Sequence, residues 1–137
     1  MRRPPKAIVI GLDSMSPELA FEVHRDRMPF LARLCERGAF GKLRSTDPPI
    51  TVPSWVSMTS GKTPSELGIY GFRNRRAGSY AMELATPAAL PFFRLWDLAA
   101  RAGLMSVVVS VPLTYPPPSH ELIAATSCFL TPSAESP

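Results

Sequence analysis

Ala7-Ile8-Val9-Ile10-Gly11-Leu12-Asp13-Ser14 opens as a nearly unbroken apolar run with β-branched residues and closes on a turn that carries a carboxylate. That pattern predicts a strand buried on both faces inside a parallel sheet. Ligands of open α/β sheets gather just beyond the carboxyl ends of the strands, which makes Asp13 the first candidate for chemistry. Outward from this run, Ser16-Pro17-Glu18 reads as a cap, a first-turn proline and a first-turn acid, opening a helix to about Val23. A second helix begins at Met28-Pro29, places Phe30, Leu31, Leu34 and Cys35 at helical spacing, and meets Gly38 as a left-handed stop. Ala39 to Ser45 alternates and is expected to return to the sheet as a strand, which would make this region a β-α-β unit.

Farther along, Pro53 is a suitable first residue for a helix running to Ser60 and stopped by Gly61, with Thr51 at its mouth. Thr63-Pro64-Ser65-Glu66 starts another short helix, and Gly68 to Tyr80 reads as an exposed loop or hairpin. The clearest helix begins at Pro91, carries Phe92, Leu95, Trp96, Ala99 and Ala102 on one face, and ends at Gly103. Met105 to Val111 is a buried-type strand, Pro116-Pro117-Pro118 a stiff loop, and Leu122 to Cys128 a candidate last strand. The order favours an α/β layered sheet with helices packed on both faces.

The 137 residues fit one domain, and 45% hydrophobic content is enough for its core. A net charge of +4 favours anions weakly without naming one. Cys35 and Cys128 form no C-x-x-C pair, which argues against a disulfide scaffold or a zinc ribbon and for a reducing, cytoplasmic setting. The apolar run after Lys6 meets Asp13 before it reaches signal-peptide length, and no stretch approaches the roughly 20 apolar residues of a membrane span. Gly61-Lys62-Thr63 has the ending of a phosphate-binding loop, but Val56 stands where its earlier glycine belongs. Arg73, Arg75 and Arg76 lack regularly interleaved stacking aromatics, so specific nucleic-acid binding is not expected.

The informative constellation is Asp13 together with Pro48-Pro49-Ile50-Thr51-Val52-Pro53-Ser54-Trp55 leading into a helix. Orphan amides and the positive end of a helix dipole make such a mouth an anion site facing the Thr51 hydroxyl. Threonine is a weak nucleophile at neutral pH; a divalent cation held by a carboxylate such as Asp13 would favour its alkoxide. Asp13 fits a simple turn as well, and Thr51 a loop hydroxyl, and these two residues alone do not choose.

The ordered set Ile8–Asp13, Met28–Leu34, Pro48–Trp55, Thr59–Pro64, Gly68–Phe72, Val111–Pro117 and Phe129–Ser133 resembles the type I phosphodiesterase/nucleotide pyrophosphatase family of the alkaline phosphatase superfamily. The resemblance implies an alkaline phosphatase-like layered α/β fold and a metal-dependent phosphoester hydrolase acting on a small-molecule substrate. It implies two divalent cations, zinc first, with manganese or magnesium as alternatives. Asp13 matches a metal-binding aspartate, and Thr51 matches the nucleophile that also touches metal. Ser54 falls where many relatives place an asparagine that contacts the phosphoryl group, and is a second candidate for nucleophile; Leu67 replaces a histidine common in relatives. Family members complete the metal pair with later aspartates and histidines, including an Asp-His pair. This chain has no Asp-His dipeptide, and its only histidines, His24 and His120, read as solvated. Residues 1–137 are therefore expected to be the amino-terminal part of a single catalytic domain, incomplete at the C-terminus and inactive alone. The alternative is a non-catalytic module that folds as a dimer, hiding its incomplete sheet edge, and binds anions weakly at the helix mouth.

Overall fold

A computed structural model describes residues 7–87, 90 and 92–126. The chain divides into two compact units, Met1–Arg44 and Ser45–Pro137.

In the first unit, Ser16 caps as its position demands: its Oγ accepts the Leu19 N–H at 3.2 Å. The turns that follow are irregular, a π-helical Leu19–Val23 and a 3₁₀ Arg25–Arg27, before α1 covers Pro29–Arg37. Phe21 and Phe40 meet with ring centroids 5.1 Å apart. Lys42 pairs with Glu22 at 2.8 Å, and that partner raises the lysine pKa. Gly38 does not adopt the expected left-handed stop. It is extended, at φ −117°, and its absent side chain leaves room for the Leu34 carbonyl, 3.1 Å from where a Cβ would stand.

The two strands expected here are not formed. Residues 7–12 and 39–45 carry no strand hydrogen bonding, and Ile8 is 85% exposed. Strand propensity belongs to a segment, but a ladder belongs to a pair, and among the described residues of this unit no strand offers one. The apolar stripe of α1 is likewise uncovered, with Phe30 and Leu34 exposed.

The second unit holds both cores. Helix α2 spans Thr51–Ser60 and ends on Gly61 in the left-handed region, at φ 70°. The four-residue α3, Pro64–Leu67, follows behind a complete capping box, in which Thr63 Oγ1 accepts the Glu66 N–H and Glu66 accepts the Thr63 N–H. Val52 and Val56 of α2 pack with Leu67, Ile69 and Leu113 as the first core. A hairpin pairs β1, Arg73–Arg75, antiparallel with β2, Met82–Leu84, as the Gly68–Tyr80 reading allowed, with Arg73 opposite Leu84. Helix α4 covers Leu95–Arg101. It lies against β3, Ser106–Val108, and β4, Ile123–Ala125, which run parallel with Ser106 opposite Ile123. Trp96, Ala100, Val108 and Ile123 form the second core.

Helices and two separate two-stranded sheets are thus consistent with an α/β chain. The β-α-β unit expected over 7–45 is absent, and each sheet stops at two strands among the described residues. The helix expected to begin at Pro91 starts instead at Leu95, with Arg94 as its N-cap and residues 92–93 outside it; Pro91 itself, the end of the last strand at Cys128 and the segment Phe129–Ser133 lie outside the described residues.

Candidate functional site

Helix α2 starts two residues earlier than its proline implies. Thr51 is its first residue and Ile50 its N-cap, so Pro53 stands third. The shift costs nothing, because the third amide of a helix has no intrahelical acceptor and proline lacks that amide. Val52 is completely buried and Pro53 nearly so, and together they fasten the first turn to the core. Pro53 brings no N–H and Val52 faces inward. The open side of the mouth is therefore the side of Thr51, which is partly exposed. Ile50 has no polar side-chain atom with which to cap the turn.

One turn along, Ser54 faces the preceding loop. Its Oγ lies 2.9 Å from Thr46 Oγ1 and 3.5 Å from Ser45 Oγ, and Thr46 Oγ1 donates to the Pro48 carbonyl at 2.9 Å. A hydroxyl has one proton, and that of Thr46 is spent on Pro48, so Ser54 donates to Thr46. The relay ties the 45–48 loop to the first turn of α2 and fixes the approach to Thr51. Thr46 is the site residue that the sequence reading did not single out. Its cue was a Ser-Thr pair just ahead of a proline loop, where hydroxyls bond backbone groups two residues away.

Asp13 belongs to the first unit and is exposed. It begins a turn in which the Met15 N–H reaches the Leu12 carbonyl at 3.4 Å and Ser14 takes φ 59°, while Ser14 Oγ donates to Asp13 Oδ2 at 3.4 Å. That geometry is compatible with the expected role of a turn residue. Thr51 and Ser54 share α2 and its first turns, whereas Asp13 is described within its own unit.

Among the described residues no three His, Cys, Asp or Glu side chains gather as a metal site. Asp13 and Thr51 supply two ligand side chains, short of the four ligands that zinc normally takes, so the described residues do not by themselves fit a metal pair. His120 is exposed, and its Nδ1 accepts the Leu122 N–H at 3.1 Å. Leu67, at the position of the relatives' histidine, is a buried core residue. Cys35 is a free thiol, and Cys128 lies outside the described residues. Among the described residues no helix is long and apolar enough to cross a membrane.

No curated protein and no solved structure matches the chain. The sequence model of the type I phosphodiesterase / nucleotide pyrophosphatase family matches residues 7–134, a span that includes the Asp13 turn, the Thr51 helix and the α4-β3-β4 core. The chain therefore belongs to the type I phosphodiesterase / nucleotide pyrophosphatase family of phosphoester hydrolases, within the alkaline phosphatase superfamily.

Proposed function

We propose that the protein is a metal-dependent phosphoester hydrolase in which Thr51 is the nucleophile. The observation that carries this reading is the position of Thr51 as the first residue of a helix of ten residues whose next two residues are locked in a core. A phosphodiester at that mouth would lie against the positive helix end with the Thr51 hydroxyl beside phosphorus. Thr51 Oγ1 would lose its proton to solvent and form the new P–O bond as the ester P–O bond breaks. The leaving alkoxide would take a proton from water. Water would then attack this threonine-bound phosphodiester, which still carries the second organic group, break the P–Oγ1 bond and restore the hydroxyl, so that diester and water become monoester and alcohol.

A magnitude decides what else the reaction requires. A helix end favours a nearby anion by about 0.3–1 kcal/mol, less than the ~1.4 kcal/mol of one pKa unit. That is far too little to ionise a threonine, which is why the proposal retains the family's divalent cations, zinc before manganese or magnesium, and Asp13 as one ligand. Residues 1–137 are then the nucleophile-bearing part of one catalytic domain. Ser54 would lie beside the phosphoryl group, where a phosphate oxygen would replace Thr46 as the acceptor of its proton.

The test is hydrolysis of an aryl phosphodiester by the whole catalytic domain with added Zn²⁺, Mn²⁺ or Mg²⁺, with acid-quenched mass spectrometry for the threonine-bound phosphodiester. Chelator-sensitive turnover that Thr51→Ala abolishes supports the proposal, and equal turnover by Thr51→Ala overturns the nucleophile. The lack of a gathered ligand set among the described residues favours one second reading, a non-catalytic module that binds anions at the α2 mouth. That reading is supported if metal-supplemented protein binds orthophosphate without any hydrolysis.

A further inference from the structure

A cleft of about 490 Å³ opens beside α4, and its lining combines cations with aromatic rings. Phe92, Phe93, Arg94, Arg101, Ser119 and His120 carry its chemistry. Arg101 lays its guanidinium on the Phe93 ring, 3.6 Å from the centroid, and among the described residues it makes no ion pair. A guanidinium held flat on a ring keeps its N–H edge for an in-plane acceptor. Because His120 Nδ1 accepts the Leu122 N–H, the neutral imidazole carries its proton on Nε2, which makes that atom a donor. Ser119 adds a hydroxyl.

The one carboxylate in the lining is already engaged. Asp97 Oδ2 accepts both the Arg94 backbone N–H at 2.8 Å and Arg94 Nε at 3.0 Å. Arg94 nevertheless retains a buried Nη1 with no acceptor, so this guanidinium has donor capacity that no protein group uses. The lining is therefore rich in donors and positive, with the Phe92 and Phe93 rings beside them.

We infer that this cleft binds a small organic anion, a phosphonate, phosphate or carboxylate head on an aromatic body. The head meets Arg101, His120 Nε2 and the Ser119 hydroxyl, and the body lies on Phe92 and Phe93. A bare inorganic anion would leave the rings wet, and a neutral aromatic would leave the donors unmatched; each therefore binds more weakly than the combined ligand.

The experiment titrates the full chain with phenylphosphonate, which has no ester to cleave, by calorimetry and by amide chemical shifts. Orthophosphate serves as the head alone and benzyl alcohol as the body alone. Phenylphosphonate is expected to bind one-to-one and about tenfold or more tighter than either part, with Arg101→Gln weakening it about tenfold and Arg101→Lys less. Shifts should cluster on residues 93–101 and 119–123, and Thr51→Ala should bind as the parent does, which separates this cleft from the α2 mouth. Equal binding of orthophosphate or benzyl alcohol overturns the inference. So does unchanged affinity in an Arg101→Gln chain with parental near-UV circular dichroism, or loss of binding in Thr51→Ala.

Discussion

The hydroxyl relay at the entrance of α2 makes a quantitative prediction about coupling. Thr46→Val keeps the shape of the side chain but removes two bonds of 2.9 Å, one to Pro48 and one with Ser54. At about 1 kcal/mol for a net hydrogen bond, the loss is about 2 kcal/mol. Ser54→Ala removes only the bond it shares with Thr46, together with a marginal contact of 3.5 Å to Ser45, so it costs about 1 kcal/mol. The double variant loses the shared bond once. Its cost should be about 2 kcal/mol where independent effects would sum to about 3, a coupling of about 1 kcal/mol, well outside the roughly 0.3–0.5 kcal/mol scatter of additive pairs. Urea unfolding followed by the fluorescence of Trp55 and Trp96 measures all four proteins, with an unchanged slope as the check that only stability has moved. A double variant that loses the full sum would refute the shared bond, and with it the claim that Ser54 positions the loop before Thr51.

Gly61→Ala should cost about 1 kcal/mol and Gly61→Asn less, since a Cβ at that site meets nothing within 4 Å and the whole penalty comes from holding φ at 70°; an alanine variant at least as stable as the asparagine one would contradict this origin. Glu66 is held at a pKa of about 2 by the Thr63 N–H first, then by Lys62 and the Thr63 hydroxyl. Its carboxylate therefore stabilises the fold fully above the ordinary glutamate pKa, and that contribution fades as the pH falls through about 2. Carboxyl-detected NMR should find a midpoint below the usual glutamate range that climbs in Thr63→Ala, and an ordinary midpoint in the parent chain would dismiss the capping box as its cause.

Much of the local structure was legible because it is local. Ser16 caps its own helix, Gly61 ends α2, and Thr63 with Glu66 opens α3, each through atoms within a few residues of one another. The face of α4 was legible only in part: Trp96 is buried as expected, but Leu95 and Ala102 are exposed and Ala100, off the expected face, is the second buried position. The start of α2 was less legible, because proline is tolerated anywhere in a first turn and so does not mark its first residue. The strands at 7–12 and 39–45 were misread for a different reason. Their apolar patterns describe what a strand can bury, while a ladder depends on a partner that no pattern within the segment names.

By itself the amino-acid order determined the family, through motifs spread from Asp13 to the last segments, and the helix ends, through short-range capping chemistry. Tertiary structure alone decided that Thr51 leads α2, that Ser54 spends its proton on Thr46, and that Arg101 lies on Phe93. The first two turn on how a loop packs against a turn, and the third on a flexible side chain choosing a ring eight residues away. Such choices are settled by contact and burial, which a linear pattern of residue types does not contain.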